Sequence, residues 1–141
     1  MAQETVIHRI DAQQAAAVPV TPIPGDLAID GIDEVLNRML AYGSVAWPEE
    51  FAEMKVAHLA TGDAKDTIAL ATRGTTWTVR PSPSRVTVAD GSPDHPRALI
   101  EAAPGPLLSW LWGRAPQSAV QVTGDPAWAT YLRDMIAAVT V

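Results

Sequence analysis

Residues 67–80 read TIALATRGTTWTVR, and this stretch decides the fold. Two runs of small, β-branched and aromatic residues flank Arg73-Gly74, a dipeptide suited to a two-residue hairpin connection, so 67–72 and 75–80 are expected to pair as antiparallel strands. In the second run Thr75, Trp77 and Val79 alternate with Thr76, Thr78 and Arg80. Trp77 therefore faces a core, and Arg80 ends the strand on the other face. Outward from this hairpin, short strands are expected at 55–61, 85–89 and 97–102, with Pro81-Ser82-Pro83-Ser84 as one of the turns between them. An antiparallel meander is the simplest topology for such a series.

Helical periods frame the strands. Residues 2–16 read as a helix that ends before the proline-rich connector Val18-Pro19-Val20-Thr21-Pro22-Ile23-Pro24, an interdomain linker signature. A second helix is expected from about 26 to 42, with Ile32, Val35, Leu36, Met39 and Leu40 as its buried stripe. Asp33 and Glu34 suit its positive N-terminal end, and Gly43 its C′ position. Residues 104–112 form a short apolar helix closed by Gly113. A strand at 119–123 then leads to a last helix, capped by Asp125, opened by Pro126 and buried through Trp128, Leu132, Met135 and Val139. The expected class is α+β, an antiparallel sheet with helices packed on it.

Composition bounds the function. With 141 residues, 48% of them hydrophobic, the chain can bury roughly two thirds of its unfolded surface in one core. No apolar run approaches the ~20 residues of a transmembrane helix and the start MAQETVIHRI lacks a signal layout, so a soluble cytoplasmic protein with no membrane partner is expected. The net charge of −6 and the lack of a basic run argue against nucleic acid. Without cysteine the chain offers no thiol nucleophile, and any sulfur chemistry must use a thiol brought in as cosubstrate. The charge is uneven: residues 1–72 carry eleven acids against four bases, whereas 73–114 carry Arg73, Arg80, Arg85, Arg97 and Arg114 against Asp90, Asp94 and Glu101. That basic middle either suits a small anionic ligand or solubilises strand surfaces.

Few residues stand out chemically. Glu4 and His8 are four apart on the first helix and so share a face, able to present a carboxylate and an imidazole to one divalent metal. Two ligands do not make a site; a third would come from His58, His95, Asp11 or outside the chain. Read alone, such a pair near a terminus is more often a solvated ion pair. Arg80 at a strand end and Arg114 after Trp112-Gly113 are candidates for binding a carboxylate, and Arg114 for capping the preceding helix. Trp110 and Trp112 pack a core or line a pocket. No nucleophile-elbow serine and no glycine-rich phosphate loop is present.

Several of these stretches together resemble one family. Residues 4–12, ETVIHRIDA, are similar to the E-x-x-x-H-R-x-D-A segment that closes the N-terminal bundle of mycothiol-dependent maleylpyruvate isomerases. Residues 26–34 (DLAIDGIDE), 77–80 (WTVR), 107–114 (LLSWLWGR) and 120–125 (VQVTGD) resemble that family's C-terminal domain in order and spacing. The resemblance implies a DinB-like four-helix metal-binding bundle followed by a sterol-carrier-protein-like α+β domain. Residues 1–17 would be the last bundle helix, 18–25 the linker and 26–141 the second domain. It further implies a divalent metal such as zinc, with Glu4 and His8 as two of its ligands and the third missing along with the early bundle helix. Mycothiol would be the cosubstrate, the substrate would be small and anionic or electrophilic, and Arg80 first or Arg114 second would act catalytically by pairing with its carboxylate. On this reading the chain is the C-terminal part of a thiol-dependent isomerase or transferase, inactive until a bundle is supplied.

Two other functions compete: a free-standing carrier-like module for a small ligand, and a partner domain that docks on a separately encoded bundle through an exposed apolar side of 2–16. Val6, Ile7 and Ile10 weigh here, because a terminal helix beyond a proline linker needs something to bury them against. That need favours the fragment and partner readings.

Overall fold

Alternation sorts the strand side chains onto two faces before any pairing is considered, and the observed register keeps the apolar set together. The computed structural model describes residues 2–53 and 63–140. The strand expected at 55–61, and His58 with it, lie outside the described residues. Strands β1 (Ile68–Thr72), β2 (Thr75–Pro81), β3 (Val86–Asp90), β4 (Ala98–Glu101) and β5 (Gln121–Gly124) form one sheet in the order β3-β2-β1-β4-β5. Leu70 lies opposite Trp77 and Ile100, and Ile68 opposite Val79 and Ala98, so one face is continuous hydrocarbon. All six are buried.

The α+β class is as read from the sequence, but the order is not a meander. β1 and β4 run parallel, while the other three pairings are antiparallel. β3 and β4 therefore point the same way on opposite sides of the β1–β2 pair, and the connection 91–97 must cross a face of the sheet. It crosses the face away from the helices: Thr78, which shares that face with Arg80, donates from Oγ1 to Gly91 O at 2.7 Å. The far end is fixed where Arg97 N–H donates to Thr67 O at 2.8 Å. Thr78 is only 8% exposed for this reason. The 73–74 turn is as expected, with both φ angles positive (44° and 78°), the two-residue form that matches strand twist.

On the apolar face lie α6 (Pro126–Val139) and a long helical stretch made of α2 (Gly25–Glu34), a π segment (Val35–Ala41) and α3 (Tyr42–Ala46). Buried Val35, Leu36 and Leu40 follow the wider i→i+5 turn of the π segment. Two sequence expectations fail here. Gly43 does not stop the helix; it is buried, and a Cβ on it would meet Val139 at 3.2 Å and the Trp47 ring at 3.4 Å, so its bareness serves packing. Asp33 lies too far into the helix to complement its positive end, where Asp26 stands, and instead accepts from the Trp77 indole N–H at 3.2 Å and from Asn37 at 3.0 Å. Ser44, fully buried, donates to Ala41 O and accepts from Val86 N–H at 2.9 Å, tying the helix to β3. The short α4 (Pro48–Glu53) follows.

α6 starts as the sequence expects: Asp125 accepts from Ala127 N–H at 2.9 Å and Pro126 opens the helix. Its Trp128, Leu132 and Met135 are buried, with Val139 half-buried at the end of the stripe. No helix among the described residues is long and apolar enough to cross a membrane.

Candidate functional site

The site is built on α1 (Ala2–Ala15) and on the end of α5 (Pro104–Leu111). On α1, Val6, Ile7 and Ile10 are buried and pack on Ile23, Leu27 and Trp112. The apolar side expected to be exposed for a separate bundle is thus covered by the chain itself. With that face turned inward, Glu4 and His8 are left exposed one helical turn apart. The proline-rich stretch folds back along the helix, since Arg9 donates to Thr21 O at 3.0 Å and Gln13 Nε2 to Thr21 Oγ1 at 2.8 Å.

α5 ends with Gly113 in the left-handed region at φ 69°, where Gly113 N–H donates to Trp110 O and Arg114 N–H to Ser109 O. These two bonds satisfy the last carbonyls and turn the chain back. Arg114 is thereby aimed at α1. Its Nε and Nη2 donate to the two carboxylate oxygens of Asp11 at 2.7 and 3.0 Å, and its Nη1 donates to Trp112 O at 2.7 Å. The hydrogen bond from Arg114 holds the Asp11 carboxyl below its usual range; burial opposes this, and the charges of Arg114 and then His8 add to it. The same bond pushes the Arg114 guanidinium up, against the effect of burial.

Glu4, His8 and Arg114 line one open cleft of about 800 Å³, closed on the far side by Thr130, Arg133, Asp134 and Ala137 of α6 and floored by Leu111 and Trp112. A volume of this order suits small molecules. Arg133 stacks over the Trp110 ring, 5.4 Å from its centroid, and has no carboxylate partner among the described residues. Stacking holds a guanidinium by its face and leaves its N–H edge open to an oxyanion. Arg114, by contrast, has its donors committed to Asp11 and Trp112. The indole N–H of Trp112 is buried without a partner among the described residues.

A divalent metal fits only in part. Glu4 and His8 supply a carboxylate and an imidazole, but no group of three potential ligands occurs among the described residues. Asp11 is taken by Arg114, and His95 sits on the 91–97 connection across the sheet. Two donors do not complete a site. Arg80 is separate as well, exposed on the face away from the helices, where its Nη1 donates to Ala64 O at 2.7 Å. Of the four residues singled out by sequence, the fold brings Glu4, His8 and Arg114 together and leaves Arg80 apart. Sequence reading missed Arg133. Its only signal was position: it directly follows Leu132 of the buried stripe, so it sits at the margin of that face.

No family model matches the chain, and no curated protein matches it. Among solved structures, a UbiJ-SCP2 ubiquinone synthesis protein aligns at 16% identity with a TM-score of 0.47, over 83% of this chain and 93% of that one. A conserved hypothetical protein from Thermus thermophilus, described as possibly a sterol carrier protein, aligns at 15% identity and 0.44, over 72% and 86%. The stereoselective inverting sec-alkylsulfatase Pisa1 from Pseudomonas sp. aligns at 12% and 0.44, over 54% of this chain and 13% of its own.

Proposed function

We propose that this chain is the small-ligand-binding α+β part of a mycothiol-dependent, maleylpyruvate-isomerase-like enzyme, inactive alone. The observation that carries the reading is the meeting of Glu4, His8 and Arg114 in one open cleft, from two stretches that resemble that family independently. Arg114 and Asp11 act as a clamp that holds α1 in place and so positions Glu4 and His8. Leu111 and Trp112 give the ligand an apolar floor, and Arg133 offers a cation to an anionic group. A thiol enters as cosubstrate because the chain has none. A metal would supply Lewis acidity once further donors join Glu4 and His8, and no step is assigned to it within this chain.

The test is a zinc titration by calorimetry of the purified chain, with and without mycothiol, beside the Glu4→Ala/His8→Ala double variant. The reading expects no stoichiometric zinc binding by the chain alone. Tight one-to-one binding that vanishes in the double variant, or turnover of maleylpyruvate by the chain alone, would overturn it.

A second reading, a free-standing small-ligand carrier, is favoured by the burial of Val6, Ile7 and Ile10, which removes the need for an outside bundle to cover them. It expects a chain that folds as a cooperative monomer and binds its ligand with no metal or thiol present.

A further inference from the structure

A second cavity lies on the other side of the Arg114–Asp11 clamp and, among the described residues, shares only Arg114 with the cleft above. It is a groove of about 470 Å³ between the folded-back stretch 20–23 and the first turn of α5. Ile10, Val20, Ile23, Pro104 and Pro106 give it apolar walls, and none of the described residues lining it is acidic, in a chain of net charge −6. At one end stands Arg73, in the tight turn between β1 and β2. Its guanidinium lies directly over Gly25, occupying the space a side chain there would need. Arg73 is exposed, and the start of α2 beneath it, at Gly25, carries partial positive charge that adds to its own. No carboxylate among the described residues is ion-paired with it. Asp26 in the same helical turn makes no ion pair with it, and Glu101, which lines a shallow depression on the other side of Arg73, makes none either.

We propose that this groove is a binding site for a small amphipathic carboxylate, its apolar body along Ile10, Ile23 and Pro104 and its carboxylate on the Arg73 guanidinium. The fit is one of both charge and surface: among the described lining residues, Arg73 is a cation without a carboxylate partner beside a largely apolar trough, while Arg114 is already paired with Asp11. The site stands apart from the cleft of the proposed enzyme reading and does not rest on it.

The experiment is an amide chemical-shift titration of the full chain with octanoate as probe, with octanol as its uncharged counterpart and acetate as the head group alone. Octanoate should saturably shift the amides of Ile10, Ile23 and Ala119, octanol should bind more weakly at the same place, and acetate should not bind. Arg73→Gln should weaken octanoate about tenfold or more, the scale of a lost charge-assisted hydrogen bond, and leave octanol unchanged. Gly105→Phe, which fills the groove from the first turn of α5, should abolish both. Equal octanoate affinity in Arg73→Gln and the unchanged chain, shifts that map elsewhere, or no shifts at all would each overturn the proposal. Zinc and mycothiol are absent from this titration, so its failure leaves the enzyme reading untouched.

Discussion

Replacing Ile10 with Ala tests whether α1 belongs to the cooperative fold, on which the whole cleft depends. Ile10 is 1% exposed and belongs, with Val6 and Ile7, to the cluster on which Ile23, Leu27 and Trp112 pack. The substitution removes three buried carbons, worth about 2.4 kcal/mol at ~0.8 kcal/mol each. A residual cavity would add to this, but the three partners are themselves partly exposed and can close inward, so the total should stay near 2–3 kcal/mol. There is also a ceiling. Once α1 detaches, nothing further can be lost from its docking, so Ile7→Ala added to Ile10→Ala should cost less than the sum of the two single changes. Urea unfolding followed by far-UV circular dichroism gives the free energies, and amide exchange at Val6, Ile7 and Ile10 shows whether the helix opens by itself. A cost below about 0.5 kcal/mol, the range of an ordinary surface change, would refute the docked helix and with it the placement of Glu4 and His8.

Two further outcomes follow from single contacts. Asp11 is held below the usual carboxylate range by Arg114, so its stabilising contribution is full above the unfolded value near 3.8 and disappears as pH falls through the lower folded value. With both partners over a third exposed, Asp11→Asn should cost only about 0.5–1 kcal/mol at pH 7, and the gap to the unchanged chain should close in acid; a gap that persists at pH 2 would refute the pairing. Ser44→Ala leaves the buried Val86 N–H without its acceptor and should cost about 1–3 kcal/mol in thermal or urea unfolding, against a few tenths for an exposed control such as Ser84→Ala.

Much of the architecture could be read from side-chain period, because period reports which face a residue occupies. Strands β1 to β4 were expected within a residue or two, as were α1, α5 and α6 with their glycine, proline and aspartate signals. Neighbour order is a different kind of information. Nothing in the alternation of Ala98–Glu101 says that it lies beside β1 in parallel instead of beside β3, since that is set by a connection passing over the sheet. The triad Val6, Ile7 and Ile10 announced that it must be covered but not by what, and the covering surface proved to come from this same chain, Trp112 included. The same gap separates motif from site. Spacing put Glu4 and His8 on one face, but only the reversal of chain direction at Gly113 brings Arg114 to them, and only the stack on Trp110 makes Arg133 noticeable.

The 91–97 passage also orders the assembly of the protein in time. β1, β2 and β3 are joined by short turns and can pair as soon as they are made, whereas β4 must wait for a finished β1 edge and β5 for β4. Closing that longer loop carries an entropic toll that local hairpins do not. During refolding, amides of Thr76 to Val79 should therefore gain protection before those of Ala98 to Ile100, and Arg97, hydrogen-bonded through its backbone to both Thr67 and Asp125, is where the late half of the sheet locks onto the early one.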